Sequence, residues 1–153
     1  MYQMTARFRG YFNMVYKSNS PKETENIAKA FAKSLKCGDV VCLNGDLGVG
    51  KTAFVQGLTK ALGVTDPISS PTFTIVNCYN STLPIYHFDV YRIDDCDEMY
   101  EIGYEEYVYG DGITIIEWPE KIEPILPEKR YDILISKDLS KHENFRLIDI
   151  KEK

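Results

Sequence analysis

The sequence predicts an α/β domain built on a mixed sheet, and two observations carry that expectation. First, the apolar run Val40-Val41-Cys42-Leu43 leads into the eight residues Gly45-Asp46-Leu47-Gly48-Val49-Gly50-Lys51-Thr52. They match G-x-x-x-x-G-K-[ST], a loop that joins a buried strand to a helix and holds nucleotide phosphates. Second, two stretches rich in β-branched and aromatic residues, Thr72–Tyr79 and Ile85–Tyr91, flank the short connection Asn80-Ser81-Thr82-Leu83-Pro84. They read as an antiparallel hairpin, so the sheet is mixed and not purely parallel.

Composition is consistent with that class. The chain has 153 residues, enough for one domain with a real core. Its net charge of −5 makes it a poor nucleic-acid clamp by itself. No apolar run approaches the ~20 residues of a membrane span, so no membrane is expected as a partner. The N-terminus shows no signal-peptide core. Cys37, Cys42, Cys78 and Cys96 form no CxxC pair and no metal spacing. Reduced thiols in a cytoplasmic protein, with no disulfide-linked partner, are the expectation.

In chain order, residues 1–13 show no clear period and are expected to be an N-terminal extension outside the core fold, with 14–153 as a single domain. Met14-Val15-Tyr16 reads as a short edge strand. Ser20-Pro21-Lys22-Glu23 is a helix start: Ser20 caps, proline suits the first turn, and Glu23 completes a capping box. Ile27, Phe31 and Leu35, with Ala28 and Ala32, then mark an amphipathic helix ending near Cys37-Gly38. After the phosphate loop, Phe54, Leu58, Ala61 and Leu62 form an apolar stripe that Gly63 ends. Asp66 to Pro71 is a loop by its prolines and serines. Beyond the hairpin, Asp94–Gly103 and Tyr104–Tyr109 read as helices, with the three tyrosines of the second expected to pack. Ile113–Ile116 is a buried strand, Pro119 opens a short helix, and Tyr131–Ile135 and Phe145–Ile150 are closing strands.

The spacing of the phosphate loop follows from chemistry. Its glycines let the backbone curl so that successive N–H groups face anionic oxygens, and the following helix N-terminus favours negative charge. Lys51 reaches the β- and γ-phosphates, and the Thr52 hydroxyl is a hard ligand for Mg²⁺. Such a site needs a carboxylate at the end of a neighbouring strand. Glu117 ends the strand Ile113–Ile116, where a core role for a charge is hard to find. Asp89 lies in His87-Phe88-Asp89-Val90-Tyr91-Arg92. Alternation sets His87, Asp89 and Tyr91 on one face, so Asp89 faces the cleft if Phe88 and Val90 face the core. Pairing with Arg92 is the plainer role for it. Ser69-Ser70-Pro71-Thr72 sits where a loop senses the γ-phosphate, or is simple turn chemistry. Trp118, the only tryptophan, lines the cleft or packs as a hinge aromatic. His87 reads as a hydrogen-bonded strand histidine and His142 as a loop residue.

Four motifs in order carry a resemblance. Gly45 to Thr52, then Ser70-Pro71-Thr72-Phe73-Thr74, then His87 to Arg92, then Glu117-Trp118-Pro119-Glu120 closely resemble the TsaE (YjeE) family, over about Thr24 to Ile135. The resemblance implies a three-layer P-loop domain, with a mixed, mostly parallel sheet, that binds and hydrolyses ATP with Mg²⁺. It implies a role in making N6-threonylcarbamoyladenosine at position 37 of tRNA, in an assembly with TsaB and TsaD, tRNA being met through that complex. It further implies Lys51 and Thr52 as the Walker A pair, Glu117 as a Mg²⁺ ligand, Asp89 as the acid of hydrolysis, and Thr24 and Trp118 on the adenosine side. Ala53 and Gln56 depart from the commoner pattern, which has Thr or Ser and Arg at these places; neither removes a phosphate ligand.

The main enzymatic rival is a small-molecule kinase of the P-loop class. Such kinases bring several arginines to the acceptor, whereas only Arg92, Arg130 and Arg146 follow the loop here. The NKxD and DxxG strings of a GTPase are missing.

Overall fold

The structure, a computed structural model, describes Gln3, Met4 and residues 13–153. Among these residues eight strands form one sheet: β1 (Gln3–Met4), β2 (Asn13–Ser18), β3 (Val40–Asn44), β4 (Val76–Tyr79), β5 (Ile85–Asp89), β6 (Ile113–Glu117), β7 (Tyr131–Ser136) and β8 (Arg146–Glu152). Their spatial order is β1-β2-β8-β7-β3-β6-β5-β4. The central four, β7, β3, β6 and β5, are parallel. The flanking ladders, including the expected β4–β5 hairpin, are antiparallel.

Helices cover both faces, making three layers. Helices α1 (Pro21–Ala32) and α2 (Lys51–Ala61) pack on one face through Ala28, Phe31, Phe54 and Leu58 against Val41, Leu43, Ile115, Ile133 and Ile148. The short helices α3 (Asp97–Glu101) and α4 (Tyr104–Val108) and the 3₁₀ segment Pro119–Ile125 cover the other, against Val40, Cys42, Phe88 and Ile116. Neighbouring residues of β3 therefore serve opposite cores, which is why that strand is apolar from Val40 to Leu43. Gly57 lets α1 and α2 lie close: a Cβ there would collide with the Glu25 carbonyl oxygen.

Several expected boundaries move, each for a local reason. The strand around Met14–Tyr16 is not at the edge; β2 runs six residues between β1 and β8. Of residues 1–13, most lie outside the described residues; Gln3 and Met4 pair with Val15 and Met14, and Asn13 opens β2. The strand expected from Thr72 begins only at Val76, because Ile75 adopts a left-handed φ of 67°. Its N–H donates back to the Pro71 carbonyl at 2.8 Å, closing a turn. β5 stops at Asp89, whose carboxylate accepts the Tyr91 N–H at 3.0 Å and pulls the chain out of the ladder. Ala61 is exposed, and Val55 takes its place on the buried stripe of α2. Tyr104 and Tyr107 pack edge-on against Phe88, whereas Tyr109 projects into solvent. The cap of α1 is as expected at Ser20, whose hydroxyl accepts the Glu23 N–H at 3.1 Å. Glu23 in turn accepts from the Asn19 N–H at 2.6 Å, one residue before the cap. Among the described residues no helix is long and apolar enough to cross a membrane. The four cysteines are unpaired.

Candidate nucleotide-binding site

The site forms at the carboxyl ends of the parallel strands, where open α/β sheets place ligands. Register does most of the assembly. Glu117, last in β6, stands beside Leu43 of β3 on one side and Asp89 of β5 on the other. The phosphate loop leaves β3 one residue beyond that row. Gly45 cannot be replaced without conflict, since a Cβ would fall 2.7 Å from Val49 Cγ1 and 2.8 Å from the Ile135 carbonyl oxygen. Gly50 opens α2 with φ 111°, and the space where its Cβ would sit is empty. Open volume thus lies beside the N-terminus of an eleven-residue helix, an end whose free N–H groups favour an anion.

A cleft of about 390 Å³ gathers Leu47, Gly48, Gly50, Lys51, Thr52, Ser70, Thr72, Asp89, Tyr91, Arg92, Glu117 and Trp118. A wider hollow of about 660 Å³ lies on the other flank of the loop, lined by Gly45, Asp46, Leu47 and Val49 together with Trp118 and Leu139. Leu47 and Trp118 border both. A third, near Cys37, Tyr109 and Lys129, gathers none of these residues.

Lys51 is 7% exposed. Its Nζ donates to the Gly45 carbonyl at 2.6 Å and stands 3.5 Å from the centre of the Trp118 ring. Burial pulls its pKa below the ordinary lysine value, while the carboxylates of Glu117, Glu120, Asp89 and Asp46 act in the opposite sense. An ammonium so poorly solvated is primed to exchange a ring face and one carbonyl for phosphate oxygens. Trp118 reaches it because its backbone is left-handed, with φ 61°, as the chain turns out of β6. Tyr91 packs against the same ring at 4.9 Å.

The two carboxylates are held differently. Asp89 accepts from the Ser70 hydroxyl at 2.8 Å and from the Tyr91 N–H at 3.0 Å. Ser70 is also 3.1 Å from the Thr72 hydroxyl, so the serine-proline loop is tied to the cleft acid. Glu117 Oε2 lies 2.8 Å from His87 Nε2, both side chains being buried. Arg92 does not pair with Asp89; its guanidinium lies 4.5 Å over the ring of Phe73, which is 84% exposed. An exposed Thr52 hydroxyl beside one or two carboxylates is a hard-oxygen donor set that suits Mg²⁺, with water and phosphate completing the sphere. Among the described residues no cluster of three His, Cys, Asp or Glu side chains offers a softer metal site.

Thr24 is not among the residues lining this cleft. It is a buried residue of the first turn of α1, its hydroxyl 2.8 Å from that of Ser18. His142 is exposed, 3.0 Å from the Asn19 side-chain oxygen. Two contacts of the site had no local signal in the sequence. One is the His87–Glu117 pair. The other is Arg146, whose Nε donates to the Val49 carbonyl at 2.6 Å and braces the phosphate loop from 97 residues away.

Comparison with known proteins identifies the family of the chain. A family model described as threonylcarbamoyl adenosine biosynthesis protein TsaE matches residues 18–145. The chain is 46% identical over 123 residues to the Bacillus subtilis tRNA threonylcarbamoyladenosine biosynthesis protein TsaE, covering 80% of this chain and 77% of that one. It is 42% identical over 119 residues to the Treponema pallidum protein of the same name, covering 78% and 87%. A crystal structure of Bacillus subtilis YdiB superposes with a TM-score of 0.79 at 36% identity, covering 95% of this chain and 88% of that one. With a matched span that runs from β2 into the approach to β8 and includes every residue of the cleft, the chain belongs to the TsaE family.

Proposed function

We propose that this chain binds ATP with Mg²⁺ and hydrolyses it, as the nucleotide-driven component of the cytoplasmic machinery that makes N6-threonylcarbamoyladenosine at position 37 of tRNA, together with TsaB and TsaD. The observation that carries the proposal is convergence: Lys51, Thr52, Asp89 and Glu117 come from three separate elements and line one cleft. The biosynthetic role rests on membership of the family.

In this reading the loop N–H groups and Lys51 bind the phosphates, while Thr52 and Glu117 hold the cation. Mg²⁺, when bound, neutralises charge on the phosphate oxygens. Asp89 orients the attacking water through the carboxylate that Ser70 and the Tyr91 N–H now fix. The base and ribose extend past Leu47 and Trp118 into the wider hollow. tRNA is met through the assembly, in keeping with the chain's negative charge.

The inventory also supports slow turnover alone. Among the described residues Arg92 is the arginine that lines the cleft, and its guanidinium is engaged with Phe73. Charge on the transferring phosphoryl group therefore lacks an arginine that, delivered by a partner, is worth ~10³–10⁵ in rate. The test is ATP turnover with and without TsaB and TsaD. We expect a rate well below the ~1–100 s⁻¹ of dedicated kinases for the chain alone, and strong stimulation by the partners. Fast hydrolysis indifferent to those proteins, or transfer of phosphate to an added small acceptor, would overturn this reading in favour of a kinase.

A further inference from the structure

We propose that His87 is the positioning residue of the site: its imidazole holds Glu117 Oε2 so that Oε1 is presented to the cation beside Thr52. The proposal rests on the reading of the cleft as a Mg²⁺–nucleotide site.

The geometry comes from strand alternation and register. His87 is two residues before Asp89 on β5, so both side chains leave the same face of the strand. Asp89 pairs with Glu117 across the β5–β6 ladder, and His87 pairs with Ile115, one pleat below. The imidazole thus stands behind the carboxylate, on the side away from the phosphate loop. Its Nε2 is 2.8 Å from Glu117 Oε2.

What the ring lacks is as informative as what it contacts. His87 is 2% exposed, and Nδ1 is buried without a hydrogen-bond partner. A carboxylate only accepts, so Nε2 carries the proton and donates. Nδ1 is then an unsatisfied polar atom in the interior, which is unfavourable in either tautomeric or charge state. An apolar side chain would serve the core at this place without that cost. The histidine is explained by its single polar contact, the one with Glu117. Among the described residues no hydrogen bond is made to Glu117 Oε1, and that oxygen belongs to a residue lining the cleft. A carboxylate anchored at one oxygen cannot swing, so the other keeps a fixed direction; such outer partners are worth ~10–100-fold in metal affinity.

Gln and Asn separate positioning from packing. The Gln amide nitrogen reaches about where Nε2 sits; Asn carries the same group one methylene short. H87Q, H87N and H87L would be compared with wild type by following nucleotide protection against thermal unfolding. The readout is the Mg²⁺ concentration at half-maximal protection, at fixed ATP, beside protection by ATP in EDTA. We expect H87N and H87L to raise the Mg²⁺ midpoint ~10–100-fold and H87Q to stay within a few-fold of wild type. Protection in EDTA should be unchanged in all three. A structural role alone would lower the ligand-free Tm and leave the midpoint where it was. If H87L does not fold, the Asn–Gln comparison decides the matter. Equal midpoints for H87N, H87Q and wild type overturn the role of His87 while leaving the site intact. A wild-type chain whose protection is indifferent to Mg²⁺ overturns the metal reading itself, and this proposal with it.

Discussion

Lys51→Ala tests the phosphate site most directly, because the structure supplies both sides of the balance. Without nucleotide the substitution removes the 2.6 Å hydrogen bond to the Gly45 carbonyl and the contact with Trp118. A cation–π contact is worth about 0.5–2 kcal/mol. Against it stands the cost of burying the ammonium, the main cause of its lowered pKa. The ligand-free Tm should therefore change little, by roughly 2–4 °C for a net ~1 kcal/mol in a domain of this size. With nucleotide the two proteins diverge. At ~100 times its dissociation constant a ligand adds about 2.7 kcal/mol, or roughly 5–10 °C. Losing a charge-assisted contact of ~2–3 kcal/mol weakens binding ~30–150-fold. The same concentration then sits near the new dissociation constant and adds only ~0.4 kcal/mol, about 1 °C. Thermal unfolding with and without ATP–Mg²⁺ reads both terms. Fluorescence of Trp118, the sole tryptophan, gives a second reading: it should change on binding as the ammonium leaves the ring, and should already be altered in the ligand-free variant. Equal thermal shifts in wild type and Lys51→Ala would refute the assignment, because the phosphates would then lie elsewhere.

Two further outcomes are expected. Asp89→Asn keeps size and removes charge. Its oxygen continues to accept the Tyr91 N–H while the Ser70 hydroxyl rotates to accept from the new amide, so the fold and ATP affinity should hold while turnover falls at least tenfold; lost binding with unchanged turnover would move Asp89 into the ground-state metal site. Glu25 joins α1 to α2 by accepting from Lys60 at 3.0 Å and also accepts from Lys29 of its own helix at 3.2 Å, contacts that hold its pKa at about 2. Its folded pKa lies below the unfolded value of about 4.5, so the stabilisation is complete above that pH and is lost as pH falls from there toward 2. Glu25→Gln should flatten the pH dependence of Tm across that window and cost about 1 kcal/mol or less at neutral pH, its lysine partners being exposed; an unchanged acid slope would show that other carboxylates set it.

What could be read from the sequence was what short-range pattern encodes. The phosphate loop is contiguous, and Glu117 is conspicuous as a charge ending an apolar strand. Asp89 follows from period-2 alternation, although the same rule said nothing of whether Arg92 would turn toward it or onto Phe73. The left-handed turn at Ile75 was hidden because Ile, Val and Tyr around it favour strand, and a bend imposed by the Pro71 carbonyl and the end of β5 overrode local preference. The place of β2 inside the sheet depended on β8, over a hundred residues later. His87 showed its alternation but not its partner. Trp118 depended on a backbone angle that no residue type announces. Thr24, carried by resemblance, faces the Ser18 hydroxyl from the first turn of α1, a contact that no local pattern announced.

The hydrogen bond from Arg146 to the Val49 carbonyl has a consequence for how the protein opens. Arg146 is the first residue of β8 and also donates to the Glu143 and Phe145 carbonyls, so its guanidinium joins the last strand to the back of the phosphate loop. Loops of this kind commonly exchange their amide hydrogens through small local fluctuations. Here the loop is fastened to a strand whose release disrupts the β7–β8 and β2–β8 ladders. Exchange in the loop should accordingly track that of β8, the two behaving as one cooperative unit. A chain cut shortly before Arg146 would keep every residue of the glycine-rich motif and still lose the brace that gives it shape.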